Sequence, residues 1–204
     1  IGLGLTVLAA VGQIDGNLRR SITQSLPDKA PSFFFLDIQS SQLPDFKQRL
    51  AENPAVSKVE TAPMLRGLVT KINQRPAADV GGDHWVLRGD RGISYADGLP
   101  DQTKITAGQW WGAGYNGPPQ VSFAAEEAEE IGIGLGDQLT LNVLGRDIVA
   151  EITSLREVDF STAGMGFVIL LNEAALKGAP HSHIATVYAD AAAEIPILDE
   201  LNQA

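Results

Sequence analysis

The same local pattern occurs near both ends of the chain, on either side of a long β-rich stretch. Near the start, a short aromatic run is followed by Leu43-Pro44, which opens a helical pattern. Near the end, a short apolar run is followed by Ile195-Pro196, which opens another. Proline suits the first turn of a helix because the N–H that it lacks would have no partner there. The repeat predicts two β-α units that flank an insertion.

The first unit is predicted to run strand, helix, strand. The apolar run "PSFFFLDI" (31–38) predicts a buried strand. The helix that follows has apolar residues at helical spacing and ends near Asn53, before a proline. Residues 56–72 predict a second strand, which we expect to bend near Pro63 and Gly67.

The middle of the chain is rich in Gly, Asp and Pro and contains two short strand patterns, 84–90 and 92–97. After it, Ser122 is predicted to cap a short acidic helix, because a serine side chain can accept a hydrogen bond from the first turn. The carboxylates of that helix (126–130) are interpreted as a solvated face rather than a catalytic pair.

A β-hairpin is predicted after this helix. Residues 138–144 alternate apolar and polar side chains, residues 145–147 are predicted to form the turn, and residues 148–155 return. The glycine-rich stretch 132–136 resembles a phosphate-binding loop in composition only. It follows a helix and precedes a strand, the reverse of the required order, so we interpret it as a helix end leading into a turn.

The stretch from 154 to 171, "SLREVDFSTAGMGFVILL", combines charges, hydroxyls and glycines. Ser161 and Thr162 stand beside three charged residues, which raises the question of a catalytic cluster. No nucleophile motif surrounds them. We interpret the stretch as a polar turn followed by a return strand, with Asn172 capping a short helix after it.

Composition excludes some classes of protein. The chain of 204 residues has a formal charge of −10 and no basic run, so no nucleic-acid partner is expected. It has no cysteine and therefore neither disulfides nor cysteine-based metal sites. Strand patterns with few helices predict an α+β fold.

The first 14 residues are apolar but shorter than the roughly 20 residues needed to cross a bilayer. They are interpreted either as the end of a transmembrane helix or as an apolar helix of a folded core. Arg19 and Arg20 follow, and by themselves they would favour a cytoplasmic flank.

Trp110, Trp111 and Tyr115 form a dense aromatic stretch in a glycine-rich setting. Consecutive residues of an extended chain point to opposite sides, so one Trp is expected in the core and the other at the surface. An exposed Trp would suit contact with a partner or an apolar ligand. The alternative is that the whole stretch packs in the core.

Two other groups of residues have side chains that could serve in binding. His181 and His183 would point to one face of a strand and could supply two metal ligands, but the sequence shows no third. The alternative is two polar residues at the entrance to a strand. The tripeptide 88–90 spells Arg-Gly-Asp, which recurs by chance and here falls at a strand end.

Several stretches, which together cover most of the chain, resemble a known family of proteins. They are "GLGLTVL…GNLRRSI", "FFFLDIQ", "APMLRG", "LRGDRGISYADGLP", "AGQWW", "EEIGIGLGDQLTLNVLGRDIVAEITSLREVDF" and "GFVILLN". In order and spacing they resemble the extracytoplasmic, MacB-like periplasmic core domain of FtsX/MacB-type ABC transporter permeases, and most of all its YbbP-like branch. These are structural motifs rather than chemical ones.

The resemblance implies a split porter-like β-α-β subdomain with a smaller, β-rich, Sabre-like subdomain inserted in it. Residues 1–28 would be the end of a transmembrane helix and a stalk. The porter-like halves would be 29–76 and 181–204, the second lacking its closing strand, and the insertion would be 77–180. The family places this domain in the periplasm, against the indication from the two arginines.

The resemblance also implies a domain without catalytic, cofactor or metal residues. ATP would be hydrolysed by a separate cytoplasmic ATPase subunit, and the domain would move and contact a lipophilic molecule or a periplasmic protein. Flanking helices would hold it at the bacterial inner membrane. The resemblance leaves open whether the domain forms a dimer in the full transporter. Two alternatives are a free-standing periplasmic module that binds an apolar ligand and a metal-dependent hydrolase that uses His181 and His183.

Overall fold

The computed structural model describes residues 31–101, 103–160 and 165–189. These residues form ten strands and four helices. The strands are β1 (Phe33–Gln39), β2 (Val56–Ile72), β3 (Arg75–Pro76), β4 (Arg91–Ala96), β5 (Ile105–Gly108), β6 (Gln120–Ala124), β7 (Gln138–Val143), β8 (Arg146–Arg156), β9 (Ile169–Asn172) and β10 (Ser182–Ala189). The helices are α1 (Leu43–Glu52), α2 (Ala77–Gly81), α3 (Ala125–Ile131) and α4 (Glu173–Leu176).

The strand, helix and strand predicted for the first unit are confirmed as β1, α1 and β2. Helix α1 has proline in its first turn, an Asp45–Arg49 ion pair of 2.9 Å along one side and Asn53 at its end. Its Leu50 is 2% exposed against β2 and β10. The prediction that β1 is buried is wrong in part, because the side chain of Leu36 is 63% exposed.

Strand β10, from the second unit, lies between β1 and β2 and is antiparallel to both. Val187 pairs with Phe33 on one side and with Val59 on the other. Its backbone groups are therefore satisfied on both edges by segments far away in the sequence. The two units that resemble one another in sequence share one sheet.

Strand β2 is 17 residues long and changes partners near its middle. Its first part pairs with β10 as far as Met64, and its second part pairs with β4 from Leu65 onward. The Pro63 carbonyl at the changeover accepts a hydrogen bond from Ser94 Oγ at 2.6 Å. Strand β2 runs unbroken through Pro63 and Gly67, where a bend was expected, and within this stretch it passes from one group of partners to another.

The remaining strands continue from β2 in the order β4-β9-β6-β8-β5, while β7 bridges β2 and β8. The β4–β9 and β6–β8 pairs are parallel and the other pairs are antiparallel. Helix α3 packs on this part of the sheet through Ala128 and Ile131, both buried in the large core. The described residues form a large mixed sheet with few helices, as the α+β prediction expects. The division into porter-like and Sabre-like subdomains stays a prediction.

The predicted β-hairpin is confirmed as β7 and β8. Its turn consists of Leu144 and Gly145, with φ of +51° and +81°, and Arg146 already belongs to β8. The predicted turn at 145–147 was therefore displaced toward β8. Positive φ at both positions produces the tight turn whose twist matches the twist of the strands.

Two local predictions in the insertion are wrong. Residues 84–90 form turns rather than a strand, although Val86 and Leu87 are buried in the core. Ser122 does not cap a helix, because it lies in β6 and is fully buried, and α3 begins after Ala124. In contrast, the helix end predicted at 132–136 is confirmed by Gly132, whose φ is +80°.

Several predictions fall outside the described residues. They concern the apolar start and stalk (1–28), the polar turn at Ser161 and Thr162, and the helix opened by Ile195-Pro196.

Replacing Leu141 by Ala should destabilise the fold by roughly 2–5 kcal/mol, because its side chain is fully buried and its removal leaves a cavity. Urea unfolding followed by circular dichroism measures the change. The matched control is Leu99→Ala, whose side chain is 46% exposed and should change the free energy of unfolding by less than about 0.5 kcal/mol. Equal effects for the two variants would contradict the assigned core.

Candidate functional site

The aromatic stretch begins where β5 ends at Gly108. Gly108 has a φ of +75°, and a Cβ at this position would lie 2.2 Å from the Thr153 carbonyl oxygen. The same carbonyl accepts a hydrogen bond from the Gln109 N–H at 3.0 Å. Glycine therefore allows the chain to turn closely against β8 and to carry Trp110 and Trp111 over the sheet.

The two tryptophan rings pack against each other instead of pointing to opposite sides. Their centroids are 4.0 Å apart and their planes are inclined by 32°. Trp111 is 5% exposed, whereas Trp110 and Tyr115 are half-buried. The expectation of one core and one surface Trp is met only in part, because Trp111 is buried whereas Trp110 is half-buried and packs against it.

Hydrogen bonds hold both rings on the end of β4. Trp111 Nε1 donates to the Ala96 carbonyl at 2.9 Å, and Trp110 Nε1 donates to the Asp97 carbonyl at 3.4 Å. The Asp97 carboxylate accepts a hydrogen bond from the Gly114 N–H at 2.7 Å, which fixes the far side of the loop. Each buried indole N–H has a partner, as stable burial of Trp requires.

Beneath the loop lies an apolar group, which we call the junction cluster. Its members are Trp111, Phe167, Leu170 and Ile184, with Ala62, Met64, Trp110, Tyr115 and Met165 packed around them. They come from β2, β9, the segment just before β9, β10 and the aromatic loop. The cluster therefore covers the place where β2 changes partners. Its partly exposed rim is formed by Trp110 and Tyr115, and a contact between these residues and a partner or apolar ligand stays a prediction.

Gly108→Ala should destabilise the protein by roughly 2 kcal/mol or more, because the new Cβ would meet the Thr153 carbonyl oxygen and the backbone has positive φ. Urea unfolding measures the effect. The matched control is Gly98→Ala, where an added Cβ would have no neighbour within 4 Å. A Gly108→Ala variant as stable as the control would show that the loop does not need this close approach.

His183 lies at the start of β10, and His181 comes just before this strand. The His181 and His183 ring centroids are 5.0 Å apart, so the prediction that they share a face is confirmed. His181 Nδ1 lies 2.7 Å from the Ala179 carbonyl oxygen, and Nε2 lies 3.1 Å from the Tyr95 hydroxyl. A carbonyl can only accept, so neutral His181 donates from Nδ1 and accepts the Tyr95 proton at Nε2.

This arrangement does not resemble a metal centre. Both His181 nitrogens already have partners, and residues 31–101, 103–160 and 165–189 contain no group of three or more His, Asp or Glu side chains that could hold a metal ion. His183 Nδ1 is buried and has no hydrogen-bond partner among these residues. The described structure therefore gives the hydrolase alternative no support.

Burial lowers the pKa of His183 below its usual value of 6.5, and the neighbouring His181 lowers it further. Since the unfolded chain binds a proton more readily at this position, stability is present above pH 6.5 and is lost as the pH falls toward the lowered pKa. Urea unfolding between about pH 7.5 and about pH 5 should show this loss. His183→Gln should give a flatter dependence, and parallel curves for the two proteins would contradict the assignment.

The charged residues of the stretch 154–171 have different roles. Glu157 pairs with Lys104 at 2.6 Å and its N–H donates to the Lys104 carbonyl at 3.0 Å, so this charge holds a loop, as predicted. Arg156 is instead 3% exposed, and its Nη2 donates to the Phe167 carbonyl. The alternation along β8 places Arg156 on the buried side with Ile152 and Ser154. This alternation could have predicted that Arg156 is buried, but its charge favoured a place in the polar turn.

Arg156 shares its buried region with a carboxylate that sequence reasoning placed in solvent. Glu127 is 6% exposed, so the prediction of a fully solvated acidic face is wrong for this residue. Burial lowers the pKa of Arg156 to about 10, while the negative charge of Glu127 acts in the opposite direction. Burial raises the pKa of Glu127. Burial of these two charged side chains is a feature of the tertiary structure that the sequence analysis missed.

The chain is similar in sequence to an ABC transporter permease. Over 183 residues, the chain is 30% identical to the "Uncharacterized ABC transporter permease YbbP" of Escherichia coli (strain K12). The match covers 88% of this chain and 22% of that protein, so the chain spans about a fifth of the length of this relative. No family model matches the chain. The similarity links the chain to ABC transporter permeases and agrees in that respect with the resemblance seen in the sequence.

Proposed function

We propose that this chain is a non-catalytic periplasmic domain of an FtsX/MacB-type ABC transporter permease at the bacterial inner membrane. In this role it moves when a separate cytoplasmic ATPase subunit hydrolyses ATP, and it contacts a lipophilic cargo or a periplasmic partner. The similarity to an ABC transporter permease supports this proposal.

The observation that carries the proposal is the position of the two ends of the described segment. Ser32 Oγ donates to the Ala189 carbonyl at 3.1 Å, and the Ala189 N–H donates back to Ser32 Oγ at 3.3 Å. A domain inserted between two membrane helices must receive and return the chain at one place. The paired ends of residues 31–189 meet this requirement.

The path of β2 supports a role in transmitting movement. Its first residue, Val56, pairs with Ala189 beside the paired ends, and the same strand continues through the changeover into the second group of strands. Displacement at the ends would be carried along this backbone without an intervening flexible loop. The junction cluster packs over the changeover and would keep the two parts of the sheet in register.

We further propose that the split domain organisation applies to this chain. The porter-like subdomain (29–76 and 181–204) would contain β1, α1, β2, β3 and β10, and the Sabre-like subdomain (77–180) would contain the strands from β4 to β9. The changeover at Met64 and Leu65 would mark where β2 leaves its porter-like neighbour β10 and continues against strands of the Sabre-like subdomain. No helix of the described residues is long and apolar enough to cross a membrane.

Contact with cargo or a periplasmic protein is proposed for the rim of the junction cluster. Trp110 and Tyr115 are half-buried there and would offer an aromatic edge beside the changeover. A free-standing module that binds an apolar ligand is less well supported, because Trp111 is buried under Trp110 and is not available to a ligand.

The location can be tested by cysteine labelling, since this 204-residue sequence has no cysteine. In the whole permease, with any cysteines outside this segment replaced, Leu144→Cys places a thiol at a hairpin turn where the side chain is 62% exposed. A membrane-impermeant maleimide should label it in intact spheroplasts, because the proposal places the hairpin outside the inner membrane.

The control is Val143→Cys, whose side chain is only 3% exposed and should react after denaturation alone. Labelling of Leu144→Cys only after the inner membrane is opened would refute the periplasmic location. A signal of equal strength from both variants in spheroplasts would show that the domain is unfolded, and the experiment would then be repeated on protein verified by protease resistance.

A further inference from the structure

Three aromatic side chains connect β4 to β10 beside the changeover of β2. The Tyr95 hydroxyl, near the end of β4, donates to His181 Nε2 at 3.1 Å, and the two rings meet edge to face with centroids 5.4 Å apart. The centroid of the His181 ring lies 5.0 Å from that of His183, in β10. We call these three residues the histidine link. It joins the strand that pairs with β2 before the changeover to the strand that pairs with β2 after it.

The histidine link has the bonding of neutral imidazoles. His181 Nδ1 donates to the Ala179 carbonyl and Nε2 accepts the Tyr95 proton, so a proton on His181 would turn Nε2 into a donor facing the hydroxyl. His183 Nδ1 is buried and has no hydrogen-bond partner among the described residues. A proton at that nitrogen would create a buried, charged N–H group without an acceptor, which costs free energy. Uptake of a proton therefore opposes the closed arrangement.

Two neighbouring side chains that can carry positive charge also oppose a proton on His183. Burial and then His181 lower the pKa of His183, a hydrogen bond with the Ile38 backbone raises it, and Lys47 of α1 lowers it. The two groups that lower the pKa by charge come from different elements, so the effect does not depend on one contact.

Carboxylates on the other neighbouring elements have partners of their own. Burial raises the pKa of Tyr95, Glu173 of α4 raises it and Lys177 of α4 lowers it, so the Tyr95 hydroxyl keeps its proton. Glu173 pairs with Lys177 at 2.9 Å. Glu60 of β2 accepts hydrogen bonds from two hydroxyls later in β10, and Asp37 of β1 accepts one from a glutamine side chain. These carboxylates are bonded to groups other than the two imidazoles.

The start of β10 is held less firmly than its later part. His183 pairs on one side with Pro63 of β2, which has no N–H to donate. On the other side it pairs with Ile38 of β1, next to a shift of register that contains Asp37, whose φ is +59°. Opening of residues 182–184 would therefore disturb fewer regular ladder hydrogen bonds than opening of the later part of the strand.

We propose that the histidine link makes the start of β10 sensitive to acid: uncharged imidazoles hold residues 182–184 at the changeover, and proton uptake releases them from β1 and β2 while the rest of the sheet stays paired. In the released segment the pKa of His183 returns toward 6.5, so release becomes easier as the pH falls below that value. Ile184 belongs to the junction cluster, so release would also loosen the contacts beneath the aromatic loop. This device does not depend on the proposed function.

Amide hydrogen exchange followed by NMR on the 204-residue chain tests the proposal at about pH 7.5 and about pH 5, with each rate compared with that of the unfolded chain at the same pH. Protection of the amides of residues 182–185 should be at least about tenfold lower than that of the β7–β8 hairpin, because the opening is local. It should fall by at least about threefold between the two pH values. Equal protection in the two regions, or a smaller fall with pH, would overturn the proposal.

His183→Gln removes the titrating group and should reduce the fall in protection at residues 182–185 to less than about twofold. The matched control is His84→Gln, the same substitution at a histidine that contacts Glu130 and lies outside the histidine link. Its fall in protection at these residues should equal that of the wild type. A full pH response in His183→Gln, or its loss in His84→Gln, would assign the proton to another group and reject the proposal.

A titration of the wild-type imidazoles keeps the test decisive if His183→Gln does not fold. The NMR signals of the His183 ring should titrate below pH 6.5, and the amide signals of residues 182–184 should shift over the same pH range. A His183 ring that titrates at or above pH 6.5, or neighbouring amides that do not follow it, would show that the closed arrangement does not oppose the proton.

Discussion

The pairing of β10 with both β1 and β2 is the interaction on which the rest of the structure depends. It joins a segment near the end of the chain to two segments near the beginning and satisfies the backbone groups of both edges of β10. Without it, β1 and β2 would have no common neighbour. The same pairing brings Ser32 beside Ala189, places the histidine pair against Tyr95, and puts Ile184 beneath the aromatic loop.

A second constraint is the continuity of β2. One strand serves both groups of partners, so the changeover near Met64 must accommodate two sets of neighbours. Gly67 meets this need, because a Cβ there would lie 2.9 Å from Ile93 Cδ1. The aromatic loop covers the opposite side of this region through the junction cluster. These features explain why a loop with no chemical motif contains two stacked tryptophans.

The aromatic loop builds a place suited to contact. The rim of the junction cluster offers half-buried aromatic side chains beside the changeover of β2. In the proposed permease domain, this rim would face cargo or a periplasmic protein.

The sequence by itself determined the local elements: β1, α1, β2, the β7–β8 hairpin and β10 follow from apolar periodicity, proline position and glycine turns, which act within a few residues. Only the tertiary structure decided which strands pair, because pairing of distant backbones leaves no local pattern. It also decided that Ser122, Glu127 and Arg156 are buried and that Trp110 stacks on Trp111. Burial depends on what the rest of the chain places over a residue, and a polar side chain carries no local sign that it will be covered.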